Sequence, residues 1–155
     1  MKPRVLLADD HRIVAEGLKN LLTTDFDVVG MIEDGQALID AARRLNPDVI
    51  VADITMPGLN GIEALKILRA DNPSIRVIFL TMHSEAAYAR RAFEAGAAGE
   101  VLKHCAPDGL VGALRAALAG QGFVTPALAA QLLPGKKVGT ESDPALCLPT
   151  RKREG

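Results

Sequence analysis

The stretch Val49-Ile50-Val51-Ala52-Asp53-Ile54-Thr55-Met56-Pro57-Gly58-Leu59-Asn60-Gly61 decides the fold. Its first four residues are an uninterrupted apolar run, too short for a helix and lacking the polar alternation of a half-exposed strand. Runs of this kind mark parallel strands buried on both faces. The run ends in an aspartate, Pro57-Gly58 turn the chain, and Asn60 followed by Glu63 reads as a helix start with a capping-box pair. The same unit recurs on either side. Val5–Ala8 ends in Asp9-Asp10, Val77–Leu80 in Thr81 and Gly99–Leu102 in Lys103, while Val28–Ile32, after Asp25-Phe26-Asp27, is a weaker strand candidate.

Between the strands lie stretches of helical length. Ile13, Val14, Leu18, Leu21 and Leu22 keep one face of a helix, and Ala37, Leu38, Ala41, Ala42 and Leu45 keep another. Ser84 precedes a further helical segment that stops at Gly96, and Pro107 suits a first helical position after the poorly capping Ala106. Strand and helix thus alternate five times. That pattern predicts an α/β fold, a five-stranded parallel sheet with helices on both faces and right-handed crossovers. After Gly120 the rhythm breaks. Residues 1–120 form one domain, and residues 121–155 hold a short helix over Ala127–Leu133 and a Gly/Pro-rich linker over Pro134–Pro149.

Composition narrows the function. The 155 residues carry a formal net charge of −1, which offers no electrostatic footprint for nucleic acid or an acidic membrane. Val5–Ala8 is too short for the core of a signal peptide, and no apolar run approaches a membrane span. Cys105 and Cys147 form no disulfide framework, and the expected compartment is the cytoplasm.

The chemistry sits at the carboxyl ends of the strands, where an open parallel sheet binds its ligands. Asp9, Asp10, Asp53, Thr81 and Lys103 all fall there. Carboxylates crowded on one rim repel each other unless a cation intervenes, and Mg²⁺ suits a site of one or two carboxylates, waters and phosphate oxygens. A lysine and a hydroxyl beside it match the charge that builds on phosphoryl oxygens. The residues alone therefore point to Mg²⁺-dependent phosphoryl transfer with a carboxylate as candidate nucleophile. Taken singly, each has a plainer role: a strand-end aspartate is commonly a turn former or helix cap, and a lone lysine is commonly solvated.

Leu7-Ala8-Asp9-Asp10-His11, Val51-Ala52-Asp53 through Gly61, Leu80-Thr81-Met82-His83-Ser84 and Val101-Leu102-Lys103 resemble, in order and spacing, the receiver domains of two-component response regulators of the NarL/FixJ subfamily. The resemblance spans about residues 3–120 and implies the flavodoxin-like strand order 2-1-3-4-5. It implies Asp53 as the phosphoacceptor, Mg²⁺ held by Asp10, Asp53 and the backbone carbonyl of Thr55 with Asp9 acting through water, and Thr81 and Lys103 contacting the phosphoryl group. Met82 and Thr55 would flank the acceptor and modulate attack by water. The implied partner is a sensor histidine kinase, with a homodimer and a transcriptional output, and the only enzymatic chemistry is self-phosphorylation and slow hydrolysis.

The sequence departs from that family at two places. The fifth strand carries Glu100 where an aromatic switch residue is usual, and a surface glutamate paired with Arg90 or Arg91 is expected there. Leu148-Pro149-Thr150-Arg151-Lys152-Arg153-Glu154 resembles the opening of a LuxR-type helix-turn-helix domain, so DNA would be reached only through a C-terminal domain absent from this sequence. Two other readings stay open: an interaction module that needs no phosphorylation, and a haloacid-dehalogenase-like phosphohydrolase.

Overall fold

The computed structural model describes residues 2–54, 56, 58–81 and 86–124. The expected roles of Thr55 and Met82, the Ser84 helix start, and the helix, linker and basic end expected after residue 125 lie outside the described residues.

The chain runs β1 (Arg4–Ala8), α1 (Arg12–Leu22), β2 (Asp27–Ile32), α2 (Gly35–Leu45), β3 (Val49–Asp53), α3 (Gly61–Asp71), β4 (Val77–Thr81), α4 (Ala86–Glu94), β5 (Gly99–Leu102), a 3-10 turn (Lys103–Cys105), α5 (Ala106–Leu118) and β6 (Phe123–Val124). All strand pairs are parallel, in the order β2-β1-β3-β4-β5-β6. The expected order 2-1-3-4-5 is present. β6 adds a two-residue strand at the β5 edge, in a segment that the sequence suggested was helix and linker. A pair this short carries almost no periodicity by which a strand could be read.

Alternate residues of each strand feed two separate cores. Val5, Leu7, Val49, Val51, Ile78 and Leu80 pack with Leu18 and Leu22 of α1 and with Leu110 and Leu114 of α5. Leu6, Ala8, Ile50, Ala52 and Phe79 pack with Leu38 of α2, Leu65 of α3 and Ala92 of α4. This two-sided burial is why the strands read as continuous apolar runs. Helix starts follow from local hydrogen bonding. Asp34 accepts from the Ala37 amide at 2.8 Å and Asn60 from the Glu63 amide at 2.9 Å.

Three expectations are corrected. Ile13 is 88% exposed and Val14 is also exposed, because α1 buries Ala15, Leu18 and Leu22 instead. That stripe turns the first helical residues toward solvent. Ala106, not Pro107, is the first residue of α5, since the preceding 3-10 turn leads straight into the helix. Cys105 is fully buried and disulfide-bonded, where no framework was expected. Cys147 lies outside the described residues.

The order of the strands reverses at β1 and β3: the chain leaves β1 for β2 on one side and continues from β3 to β4 and β5 on the other. The crevice at their carboxyl ends is the place for a ligand. Gly61 fixes the loop beside it. A Cβ there would stand 2.8 Å from the Asp53 carbonyl oxygen and 2.7 Å from Phe79 Cε1, while the Gly61 amide donates to the Ile54 carbonyl at 3.0 Å. Gly61→Ala must displace backbone at the end of β3, and a loss of about 1–3 kcal/mol is expected in urea unfolding. An unchanged midpoint would show that this packing yields freely.

Candidate functional site

β1 pairs with β3 so that Ala8 faces Ala52, which brings the residues that follow, Asp9 and Asp53, to the same end of neighbouring strands. Both are 2% exposed. Asp10 points to the solvent side of the rim, as does His11. One ligand atom from each of Asp9, Asp10, His11 and Asp53 lies within 4.8 Å of the others. Two further strands bring in the remaining members. Thr81 closes β4 and is fully buried, and Lys103 follows β5 directly.

The Lys103 ammonium donates to Asp53 Oδ2 at 2.8 Å and lies 3.8 Å from Asp9 Oδ2. Burial alone would lower its proton affinity. The hydrogen bond to Asp53 and the charges of Asp53, Asp9 and Asp10 outweigh that loss, so its pKa is raised from the ordinary 10.5. Lys103 is therefore a cation throughout the neutral range. On the other flank the His11 amide donates to Asp9 Oδ1 at 2.8 Å, and His11 Nδ1 stands 3.1 Å from Asp10 Oδ1 and 3.3 Å from Asp9 Oδ1. The sequence carried His11 inside a motif without giving it a role. Its place directly after an acid pair, at the start of a helix, was the available signal.

Among the described residues, two buried oxygens at the rim have no hydrogen-bond partner, Asp9 Oδ2 and Thr81 Oγ1. Orphaned polar atoms of this kind cost stability and mark places where a ligand supplies the missing partner. Carboxylate oxygens in this number fit a hard divalent cation. The described residues expected to contact metal or phosphoryl group, Asp9, Asp10, Asp53, Thr81 and Lys103, thus fall at one rim.

Glu100 departs from expectation. It is 0% exposed, neither carboxyl oxygen has a hydrogen-bond partner, and no ion pair joins it to Arg90 or Arg91. Its strand position explains this. Glu100 pairs with Phe79, whose side chain lies in the core beneath α2, α3 and α4, and directly opposed residues point to the same face. Removal from water pushes its pKa up from 4.5 to about 8, so the side chain is mostly the neutral acid at neutral pH.

Comparison with known proteins identifies the family. The response regulator receiver domain family profile matches residues 5–115. The response regulator GacA of Pseudomonas viridiflava is 39% identical over 132 residues, which are 83% of this chain and 61% of GacA. The crystal structure of a LuxR-family two-component response regulator from Aurantimonas sp. SI85-9A1 matches with a TM-score of 0.80 at 38% identity, over 85% of this chain and 96% of that one. The isolated receiver of RcsB from Salmonella enterica serovar Typhimurium, solved in the presence of the phosphomimetic BeF₃⁻, gives 0.76 at 35% identity over 86% and 99%. The chain spans about three fifths of the length of the curated relatives it matches. No helix among the described residues is long and apolar enough to cross a membrane. Sequence, strand order and rim together place the chain in the receiver domain family of two-component response regulators.

Proposed function

We propose that Asp53 accepts a phosphoryl group from the phosphohistidine of a sensor kinase, and that the phosphorylated domain then controls an output. The 2.8 Å contact between Lys103 Nζ and Asp53 Oδ2, at a rim with two further carboxylates, carries this reading. An Asp53 carboxylate oxygen attacks phosphorus, the phosphorus–nitrogen bond of the donor breaks, and the imidazole leaves with a proton from solvent. Lys103 follows the charge that gathers on the phosphoryl oxygens. The unpartnered Thr81 hydroxyl gains an acceptor once a phosphoryl oxygen stands beside it.

Asp10, Asp53 and the Thr55 carbonyl would hold Mg²⁺, with Asp9 through water. Bound there, the ion supplies neutralisation of charge between the acceptor and the incoming phosphoryl group. The domain is not built for rapid turnover; phosphorylation of itself and slow loss to water are its whole chemistry. Ile13 lays an exposed apolar side chain on α1 beside the rim, which suits a helical face of the kinase. The output is transcriptional and cytoplasmic, through a DNA-binding domain outside residues 1–120 and a homodimer; the similar protein RcsB has been solved as dimers bound to DNA, which supports this reading.

Acetyl phosphate with Mg²⁺ tests the acceptor. The wild-type chain should label once and lose the label slowly, and Asp53→Asn should not label at all. Near-normal labelling of the variant would move the acceptor elsewhere, rapid turnover would favour a hydrolase, and an unlabelled wild-type chain would favour a phosphorylation-independent module. Asp10→Ala should weaken Mg²⁺ binding by at least about tenfold, roughly 1.4 kcal/mol or more, in a calorimetric titration. Equal affinity in the two proteins would place the ion away from Asp10.

A further inference from the structure

Glu100 lies on the face of the sheet that α4 covers, and α4 packs against both β4 and β5. Thr81 lies two residues beyond Phe79 on β4, so Thr81 and Glu100 are diagonal neighbours on one face. Both carry buried polar atoms with no partner. Around them the layer is apolar, with Phe79, Leu65, Leu68 and Ala92 buried and Ala95 and Ala97 packed against it. No other carboxyl of the described residues is fully buried without any partner on either oxygen.

Among the described residues, no charged group of the surrounding elements pairs with it. α4 carries Arg90, Arg91 and Glu94, and α3 carries Glu63, Lys66, Arg69 and Asp71. Arg91 sits 5.7 Å over the Tyr88 ring, Arg69 packs against Gly96, Asp71 accepts from Arg43, and Lys103 beyond β5 is committed to Asp53. None forms an ion pair or hydrogen bond with the Glu100 carboxyl. Beside the buried layer, α3 and α4 enclose a cleft of about 320 Å³ whose lining includes Lys66, Tyr88 and Arg91. Its lining also holds Glu63 and Glu94, so it is balanced in charge; what it offers a carboxylate that leaves the core is water, with Lys66 and Arg91 as the cations within it.

We propose that Glu100 is a proton-controlled latch between β5 and α4, stored under α4 as the neutral acid and released toward the α3–α4 cleft as the carboxylate, loosening α4 from the sheet. Burial favours the protonated side chain, since an ionised carboxylate there would lose its water without gaining a partner. The stored form holds its proton more tightly than an exposed glutamate, with an affinity near pH 8 against the ordinary 4.5. Storage is therefore fully favoured below 4.5, and each pH unit between 4.5 and about 8 shifts the balance toward release by about tenfold. The position of α4 thus follows pH without any phosphoryl group on Asp53.

The full chain, with no phosphodonor or metal added, tests the latch by NMR. Carbon-detected titration of the glutamate carboxyls should show one group with its midpoint well above the ordinary range, assigned to Glu100 by its loss in Glu100→Gln. Amide protection factors in residues 86–102, corrected for intrinsic exchange, should fall by about tenfold or more between about pH 6 and about pH 8.5. Glu100→Gln should abolish that fall, and Glu100→Met serves as the second neutral variant should the amide disturb folding. A Glu100 midpoint near 4.5 overturns the proposal. So does α4 protection that stays constant in the wild-type chain, or that falls equally in the neutral variants. Because no phosphodonor enters, these outcomes stand apart from the role of Asp53.

Discussion

Three carboxylates of one small rim approach one another closely enough to share a single ion, and this crowding is the condition to which the neighbouring structure answers. Like charges at this spacing are unfavourable in a partly dry site. Lys103 meets the problem from one side, with its ammonium on Asp53 and within reach of Asp9. His11 meets it from the other, with its amide on Asp9 and its ring between Asp9 and Asp10. Neither removes it, and one oxygen of Asp9 is left without a hydrogen bond. A rim held in this state favours whatever brings positive charge or an electrophile, which is the physical basis for binding a cation and a phosphoryl group at the same place.

Much of this was legible in the sequence, because parallel strands buried on both faces leave an unusually plain trace. Val49–Ala52 admitted no reading but a buried strand, and the acids, hydroxyl and lysine at four strand ends followed as one constellation. The residues that misled did so where position in three dimensions overrides type. Ile13 is an apolar residue on an amphipathic helix, yet the buried stripe passes it by. Glu100 is a charged residue that ordinary expectation puts in water. Only the register of β5 against β4, which no local pattern encodes, sends it inward. β6 escaped notice because two residues hold no period.

Glu100 also changes how the sheet and α4 are to be understood. A neutral buried acid keeps one donor and spare acceptors, so it is neither an inert filler like the apolar residues around it nor a fixed ion pair. Thr81 stands next to it with a hydroxyl in the same unsatisfied condition. The two mark a shallow polar seam running from the rim toward α4 through an otherwise dry layer. Such seams are where a packed core has a second arrangement available at modest cost.

The alternation of strand residues between two cores has a wider consequence. Asp53 continues the series Val49, Val51 that belongs to the α1 and α5 side, whereas Thr81 continues Phe79 and belongs to the side of α2, α3 and α4. The sheet is an insulating wall between those halves, joined chiefly around its strand ends. Substitutions on one side can then accumulate with little regard to those on the other, since residues that share no contacts drift nearly independently. A lineage could recast the helices that meet its partners on one side while inheriting the opposite side unchanged, with the rim as the common boundary that both must continue to fit.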